Sequence, residues 1–536
     1  MEIPELDSYW QYVEYWSSVD PDFPSLREGD RTVSAKDFED MTDQLAKAFI
    51  NLGVKKGDRI VTILPCGIDY IFTLIAAGKI GVILVPMDVK FRIADLKRFL
   101  SHARPKVIVA LPGSGDHDII ESLNALGTEF NETKKILVGS SEFGESFEYL
   151  LEASFDLDEG LKAAKLNQDK DDGALVIFSG GTTGVPKAAL LSHENMALMS
   201  YIEFECFKGW LGPTIGERRI KTLVNLPPSH VGGTIEFIGT GIVGGLEMIV
   251  MDDWSPTMTL EAIQREKILF MGGVPTMFAI TLSLPDLDKY DLSSVKFAVF
   301  SGEKVSAELI GGIRGKIAPI AINGYGSTEA GSEVTFTEPD DDPDRIAQGY
   351  AGKPLPTVKI RIVDDDDNEL PQGEIGEVII SGPLAIKSYF NQPEEDKVGF
   401  TPDGWVRTGD LGYLTEDGGL YIQGRKKQII RVGGYTVLPT EVEEVAIKSP
   451  DVAMSAAIGV SDKIYGEVIW LFVTPEPGRK VDEGKIIALC KKELAKFKVP
   501  KKVIIRETIP ITRIGKADRK ALRKEVLESL ENNNSL

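Results

Sequence analysis

Short β-branched runs alternate with helical patterns through the first 300 residues, and this alternation leaves few architectures open. Residues 59–65 (RIVTILP) read as a buried strand, 68–81 as an apolar helix and 82–87 as the next strand. Further strand candidates lie at 106–111, 135–139, 174–179 and 296–301. Strands interleaved with helices build βαβ units and a parallel sheet. The pattern changes near 350. Residues 358–382 hold two alternating strands around an acidic turn, and 412–425 repeat that arrangement around Asp417-Gly418-Gly419, as antiparallel hairpins do. After Arg425 the order reads β-α-β-β-α. The expected fold is α/β. A large N-terminal domain of βαβ-type sheets covers 1–424, with a β-rich subdomain at about 350–424, and a small α+β domain covers 425–536. At 536 residues the chain is too long for a single core.

Composition removes several classes of function. Lys and Arg total 60 against 82 Asp and Glu, a net charge of −22. Nucleic acid and anionic membrane both reward positive charge, so neither is expected as the main partner. The charge is uneven: residues 421–536 carry 22 Lys and Arg against 15 Asp and Glu. Cys66, Cys206 and Cys490 are spaced neither as a disulfide framework nor as a zinc site, which fits a reducing cytoplasm. His102, His117, His193 and His230 form no metal-binding spacing. The first residues are acidic and lack the apolar run of a signal peptide. Lys79, Glu236, Glu247 and Pro275 interrupt the most apolar stretches, so no transmembrane helix is expected.

The strongest local signal is Ser179-Gly180-Gly181-Thr182-Thr183-Gly184-Val185-Pro186-Lys187, directly after a strand. Its glycines expose backbone N–H groups, its hydroxyls add donors and its lysine adds charge, a combination suited to polyphosphate. It is not a Walker A loop, because no G-x-x-x-x-G-K-[ST] is present. Four more segments follow in order: Asn323-Gly324-Tyr325-Gly326-Ser327-Thr328-Glu329; Arg407-Thr408-Gly409-Asp410; Gly424-Arg425-Lys426-Lys427 with Gly433-Gly434 and Pro439 to Glu443; and Pro510 to Lys516. Together with the loop, these resemble the motifs of the adenylate-forming superfamily, which includes acyl- and aryl-CoA synthetases, luciferases and peptide-synthetase adenylation domains. The resemblance spans nearly the whole chain.

The resemblance implies an ATP-dependent acid–CoA ligase. ATP activates a carboxylic acid as acyl-AMP with release of pyrophosphate, and CoA then takes the acyl group. Both partners in the first step are anions, so catalysis consists mainly of positioning and charge neutralisation. On this reading the nucleotide binds to the loop and to Gly302-Glu303-Lys304, Asn323, Gly324, Tyr325, Gly326 and Thr328. Tyr325 offers its face to adenine, and Asp410 with Arg425 meets the ribose. Glu329 holds Mg²⁺, a hard cation that takes carboxylate and phosphate oxygens. Lys187 and Lys516 are the catalytic cations, Lys516 being the one that reaches the attacking carboxylate and the α-phosphate. Lys427 matches the hinge on which the small domain turns between the two half-reactions. Gly433 and Gly434 match the CoA channel, where only a small residue lets a thin ligand pass. ATP, pyrophosphate and CoA are all anions, so a basic mobile domain suits them. A homodimer is left open.

Three departures from the family pattern stand out: Ala188 after the loop lysine, Gln428 after the hinge, and Ile514 before Gly515. One decoy is set aside. Residues 239–244 fit G-x-G-x-x-G, but a strand follows almost at once where a dinucleotide fold needs a helix to open. Residues 226–233, with His230, resemble the segment facing the acyl pocket. No Asp stands there to pair with a substrate ammonium, which disfavours an α-amino acid. Gly326 replaces the Trp that fills the pocket of acetyl-CoA synthetases, so a longer or aromatic acid is expected. Tyr201, Phe204, Phe207 and Gly331-Ser332-Glu333 are candidates for the remaining walls. A medium- or long-chain fatty acid is the first choice and an aryl or phenylpropanoid acid the second. A ligase that loads a carrier protein is the alternative acceptor reading.

Overall fold

The computed structural model describes residues 3–531 except 116, 128–129, 140–143, 180–186, 213–219, 433–434, 463–464, 495 and 512–516. Contacts divide the chain into two compact units: Met1–Ile360 with Ile379–Thr408, and Arg361–Val378 with Gly409–Leu536.

Among the described residues the first unit contains two large sheets and a two-stranded ribbon, Gly113–Ser114 with His117–Asp118. One runs in the order Lys187–Ser192, Gly173–Ser179, Ile83–Pro86, Arg59–Ile63, Val107–Ala110, Lys134–Leu137 and Glu145–Ser146. All neighbours are parallel except the first pair. Residues 107–110 and 83–86 are buried along their whole length, the signature of a parallel strand covered on both faces. In the other sheet, parallel strands Ile320–Ser327, Phe297–Phe300, Phe270–Gly273, Lys221–Val224, Glu247–Val250 and Pro24–Glu28 lie side by side. Antiparallel strands flank them, Ser332–Phe336 next to Ile320–Ser327 and Arg31–Ser34 next to Pro24–Glu28.

Helix Ile68–Lys79 shares one core with residues of both sheets, among them Ile60, Leu84, Leu26 and Met248. It is apolar all round, as a helix without a solvent face must be. Its terminal Lys79 is fully buried yet satisfied: Nζ donates to Asp43 Oδ1 at 2.6 Å, Thr42 Oγ1 at 2.7 Å and Glu39 O at 3.1 Å. The G-x-G-x-x-G segment lies on buried helical turns, Gly232–Gly239 followed by Thr240–Gly244. A Cβ at Gly239, Gly241 or Gly244 would fall 2.0 Å from Tyr9, 2.4 Å from Met248 or 2.5 Å from Phe204. These glycines serve helix packing, not phosphate binding.

The second unit contains a hairpin in which residues 410–414 pair antiparallel with strand Leu420–Arg425, with the Tyr413 and Tyr421 rings stacked 4.9 Å apart. Its main sheet orders Tyr435–Val437, Ile430–Val432, Gly466–Pro475 and Val452–Asp462, with Lys502–Ile505 parallel to Gly466–Pro475. Strand alternation fills two cores. Ala457, Leu471 and Val473 pack with helices Pro439–Ile447 and Glu483–Glu493, while Ala456, Ile458 and Phe472 pack with helix Arg519–Glu531.

Candidate active site

Strand Gly173–Ser179 ends on Ser179, and Lys187 opens the antiparallel strand beside it, directly opposite. The intervening Gly180, Gly181, Thr182, Thr183 and Gly184 lie outside the described residues. The register still makes a hydroxyl and an ammonium cross-strand neighbours at the loop's base. Residues 388–392 close over the other edge of the returning strand. Phe390 N donates to Ala188 O at 2.7 Å, and Ala188 N donates to Gln392 Oε1 at 2.8 Å. Ala188 is therefore buried in a seam of backbone bonds.

Glu329 arrives from the other sheet. Strand Ile320–Ser327 runs into a short 3₁₀ turn, Thr328–Ala330, where Ser327 Oγ accepts from Ala330 N at 3.2 Å. Ser179 Oγ donates to Glu329 Oε1 at 2.8 Å, across 150 positions of sequence. Tyr389 completes the group. Its hydroxyl donates to Glu329 Oε1 at 3.4 Å and accepts from Lys187 Nζ at 3.4 Å. Lys187 Nζ also lies 4.7 Å from the Tyr389 ring centroid and 3.3 Å from Glu395. Burial, with Glu329 alongside, pushes the phenol well above its usual range, so it remains a donor. Sequence reading missed Tyr389. Its local signal is the turn that follows, where Asn391 takes a φ of 53° before Gln392-Pro393.

The cluster offers one ammonium, two hydroxyl donors and two carboxylates, Glu329 and the Glu395 that pairs with Lys187. Among the described residues no three or more His, Cys, Asp or Glu side chains gather as a metal cage. Glu329, a carboxylate held through Oε1 by Ser179 and Tyr389, fits a magnesium ion that would take its other ligands from phosphate and water.

The remaining nucleotide candidates occupy strand ends of the same sheet, the usual ligand edge of parallel α/β folds. Phe300 is in register with Asn323, which puts Gly302-Glu303-Lys304 next to Asn323–Gly326. Gly302 has a φ of 79°, and Thr276 Oγ1 donates to Glu303 Oε2 at 2.8 Å. Asn323 and Thr337 are tied twice, Asn323 N to Thr337 Oγ1 and Thr337 N to Asn323 O, each at 2.9 Å. Tyr325 and Thr328 are half-buried.

Two of the pocket candidates are closely packed. A Cβ at Gly326 would lie 1.8 Å from Ser332 O and 2.5 Å from Glu333 Cα. The close approach of strand Ser332–Phe336 requires glycine at this position. Phe207 is core, with its ring 4.8 Å from Phe297 and 5.3 Å from Phe270. His230 is exposed, at the turn that leads into a π-helix, Gly232–Gly239.

In the second unit Asp410 and Arg425 are cross-strand partners, with Arg425 Nε 2.7 Å from Asp410 Oδ1. Asp410 is buried and Arg425 exposed, so the guanidinium orients a carboxylate that has little freedom of its own. Lys426 bonds buried Glu377 at 2.9 Å, and Lys427 lies in the adjoining 3₁₀ turn, Lys426–Gln428. Gly433, Gly434 and Lys516 lie outside the described residues. The segment containing Lys516 is bounded by an antiparallel bridge, Ile511 to Ala517.

Comparison with known proteins decides the family. A family model described as AMP-binding enzyme matches residues 13–390, and one described as AMP-binding enzyme C-terminal domain matches 441–516. The chain belongs to the AMP-binding enzyme family. This places it in the adenylate-forming superfamily. YdaB of Bacillus subtilis, an acyl-CoA ligase by provisional name, is 31% identical to this AMP-binding enzyme over 94% of the chain and 96% of its own length. A long-chain-fatty-acid–CoA ligase of B. subtilis is 30% identical over 91% and 90%. The indoleacetate–CoA ligase of Aromatoleum aromaticum is 27% identical over 96% and 98%. Among solved structures, ATP-bound MatB from Rhodopseudomonas palustris aligns with a TM-score of 0.80 at 24% identity, covering 96% of this chain and 98% of its own. That likeness establishes the α/β fold of this AMP-binding enzyme. Among the described residues no helix is long and apolar enough to cross a membrane.

Proposed function

We propose that this AMP-binding enzyme is an acid–CoA ligase that works through an acyl-AMP. A carboxylate oxygen of the acid attacks the α-phosphorus of ATP, and pyrophosphate leaves. The sulfur of CoA then attacks the acyl carbonyl carbon, and AMP leaves. The observation that carries this reading is the meeting of Ser179, Lys187, Glu329 and Tyr389 at the base of the phosphate-type loop. Lys187 offsets charge on phosphate oxygens, while Ser179 and Tyr389 orient the Glu329 carboxylate. Glu329 is suited to Mg²⁺, which when bound neutralises phosphate charge.

Family resemblance supports Asp410, whose carboxylate Arg425 contacts at 2.7 Å, as the partner of the ribose hydroxyls. Family resemblance supports Lys516 as the adenylation cation, Lys427 as the hinge of a lid over about 425–536, and Gly433-Gly434 as the CoA channel. A medium- or long-chain fatty acid, with an aryl acid second, matches the ligases to which the chain is similar. Cys66, Cys206 and Cys490 are free, which favours the cytoplasm.

Pyrophosphate release across fatty and aryl acids, with and without CoA, tests the reading. Acid-dependent release followed by thioester formation is expected, and an absence of acid-dependent release rejects it. Lys516→Ala should abolish acyl-AMP formation but spare thioester formation from supplied acyl-AMP. Equal loss in both steps removes the role given to Lys516.

A further inference from the structure

Three glutamates are buried together beside the nucleotide strand. Glu203 comes from helix His193–Leu211, Glu236 from the π-helix and Glu333 from strand Ser332–Phe336, and their exposures are 1%, 6% and 4%. Thr240 Oγ1 donates to Glu203 Oε2 at 2.7 Å, and Ser332 Oγ donates to Glu236 Oε1 at 2.5 Å. Glu333 takes a hydrogen bond from Ser301, and its carboxyl and that of Glu236 are hydrogen-bonded to each other. None of the three forms an ion pair among the described residues, and no hydroxyl, amide or ammonium among them donates to buried Glu333 Oε2. Burial, reinforced by the neighbouring carboxyls, pushes Glu203 and Glu333 well above the usual carboxylate range, and burial raises Glu236 as well.

Such a cluster opposes folding. A carboxyl taken out of water without a cation is unfavourable, and a buried polar atom that meets no conventional donor calls for an explanation. Its location supplies one. Glu333 Oε2 lies 2.9 Å from where a Cβ would stand on Gly324, so glycine leaves that face of the carboxyl uncovered by a side chain. Glu236 Oε2 lies 3.5 Å from the corresponding point on Gly232, two residues beyond His230. Ser301 precedes Gly302 at the strand end. One carboxyl therefore borders the nucleotide strand and the other the acyl segment. The eight-residue π-helix that carries Glu236 is a rare conformation, concentrated at functional sites.

We propose that Glu333, with Glu236 behind it, selects the acid substrate by accepting a hydrogen bond from a hydroxyl or ammonium at the end remote from the reacting carboxylate. This rests on the ligase reading and narrows its substrate class to acids with a distal donor. A plain alkyl or phenyl end would leave Oε2 with no donor beyond the carboxyl pair itself, and sites built around a buried hydrogen bond reject ligands that cannot make it.

The test measures acid-dependent pyrophosphate release by the full chain with matched acids. One set is hexanoate, 6-hydroxyhexanoate and 6-aminohexanoate; the other is phenylacetate with its 4-hydroxy and 4-amino derivatives. A donor-bearing acid should exceed its unsubstituted parent in kcat/KM by roughly 10²-fold or more, and the hydroxyl and amine arms separate a neutral from a charged donor. Glu333→Gln should cut the preference by about tenfold or more, mainly through KM, and Glu333→Leu should reverse it. Each ratio comes from one preparation, so partial unfolding cancels. If neither variant folds, the wild-type ratio decides alone. Equal or better turnover of the parent acids overturns the inference and leaves the ligase reading standing, as does a preference that both variants keep. No pyrophosphate release with any acid overturns the ligase reading itself.

Discussion

Tyr389→Phe removes one hydroxyl from the proposed site and leaves the ring. That hydroxyl makes two contacts, to Glu329 Oε1 and from Lys187 Nζ, both at 3.4 Å. Strong O–H···O bonds cluster near ~2.7–2.8 Å, so both contacts are weak. A typical hydrogen bond nets about 1 kcal/mol, and two long ones together should amount to no more than that. Glu329 keeps its shorter bond from Ser179, at 2.8 Å. Lys187 keeps its ring contact at 4.7 Å, worth roughly 0.5–2 kcal/mol. The expected loss of transition-state stabilisation is about 1 kcal/mol, or roughly fivefold in kcat/KM. Tyr389→Leu also loses the ring contact and opens a hole at a side chain that is 3% exposed, so it should lose activity further and destabilise the fold by about 2–5 kcal/mol. Initial rates of pyrophosphate release, paired with urea unfolding, separate the two effects. A loss of ~100-fold or more in the Phe variant would refute the reasoning, because long, weak bonds cannot account for it. Equal activity of the Phe and Leu variants at equal folded fraction would remove the ring from the argument.

Three other expectations concern the scaffold. His193, at the start of helix His193–Leu211, is buried, and burial lowers its pKa to about 4 from 6.5. The unfolded chain takes up the proton first as pH falls, so the stability held by the neutral ring is complete above about 6.5 and drains away towards 4, by about 2 kcal/mol at pH 5. His193→Gln should flatten the fall in urea midpoint between pH 7 and pH 5; parallel curves for the two proteins refute this. Gly326→Ala places a Cβ 1.8 Å from Ser332 O and should lower stability by more than about 2 kcal/mol. A normally folded Gly326→Ala enzyme with altered acid preference would refute the packing argument and favour the pocket role. In the second unit Arg519 bonds Glu443 through Nε at 3.1 Å and Nη2 at 2.6 Å, and reaches Gln428 at 3.3 Å. Arg519→Ala leaves Glu443 buried without its cation and should cost about 3 kcal/mol; an unchanged unfolding midpoint contradicts the pairing.

The parts of the fold that could be read from sequence are those in which one local rule was enough. Residues 107–110 had to be a covered parallel strand, because a continuous β-branched run has no solvent face. The 412–425 hairpin announced itself by its turn, with Gly418 at a φ of 81°. Ser179, Lys187 and Glu329 were legible as separate motifs, and the structure brings them within reach of one another. Tyr389 was not, because its role depends on a bridge between 189 and 389 that no local pattern encodes. The π-helix was hidden for a different reason: its period departs from the 3.6 residues that amphipathic patterns reveal.

Glu236 and Glu333 show most plainly where local reading stops. In the sequence Glu236 is merely a charge that breaks an apolar stretch, which disposes of a membrane helix and goes no further. In the fold it is 6% exposed and faces a second carboxyl. Placement rules that hold for hundreds of side chains here are broken at three glutamates, all within Coulombic reach of one another. If solvation alone governed them they would be on the surface, and if the core were only packing they would be leucines. Conflicts of this kind persist where function requires them. The ratio of hydroxylated to plain acid turnover therefore asks more of this structure than any stability measurement, because apolar replacements at these positions are expected to fold at least as well.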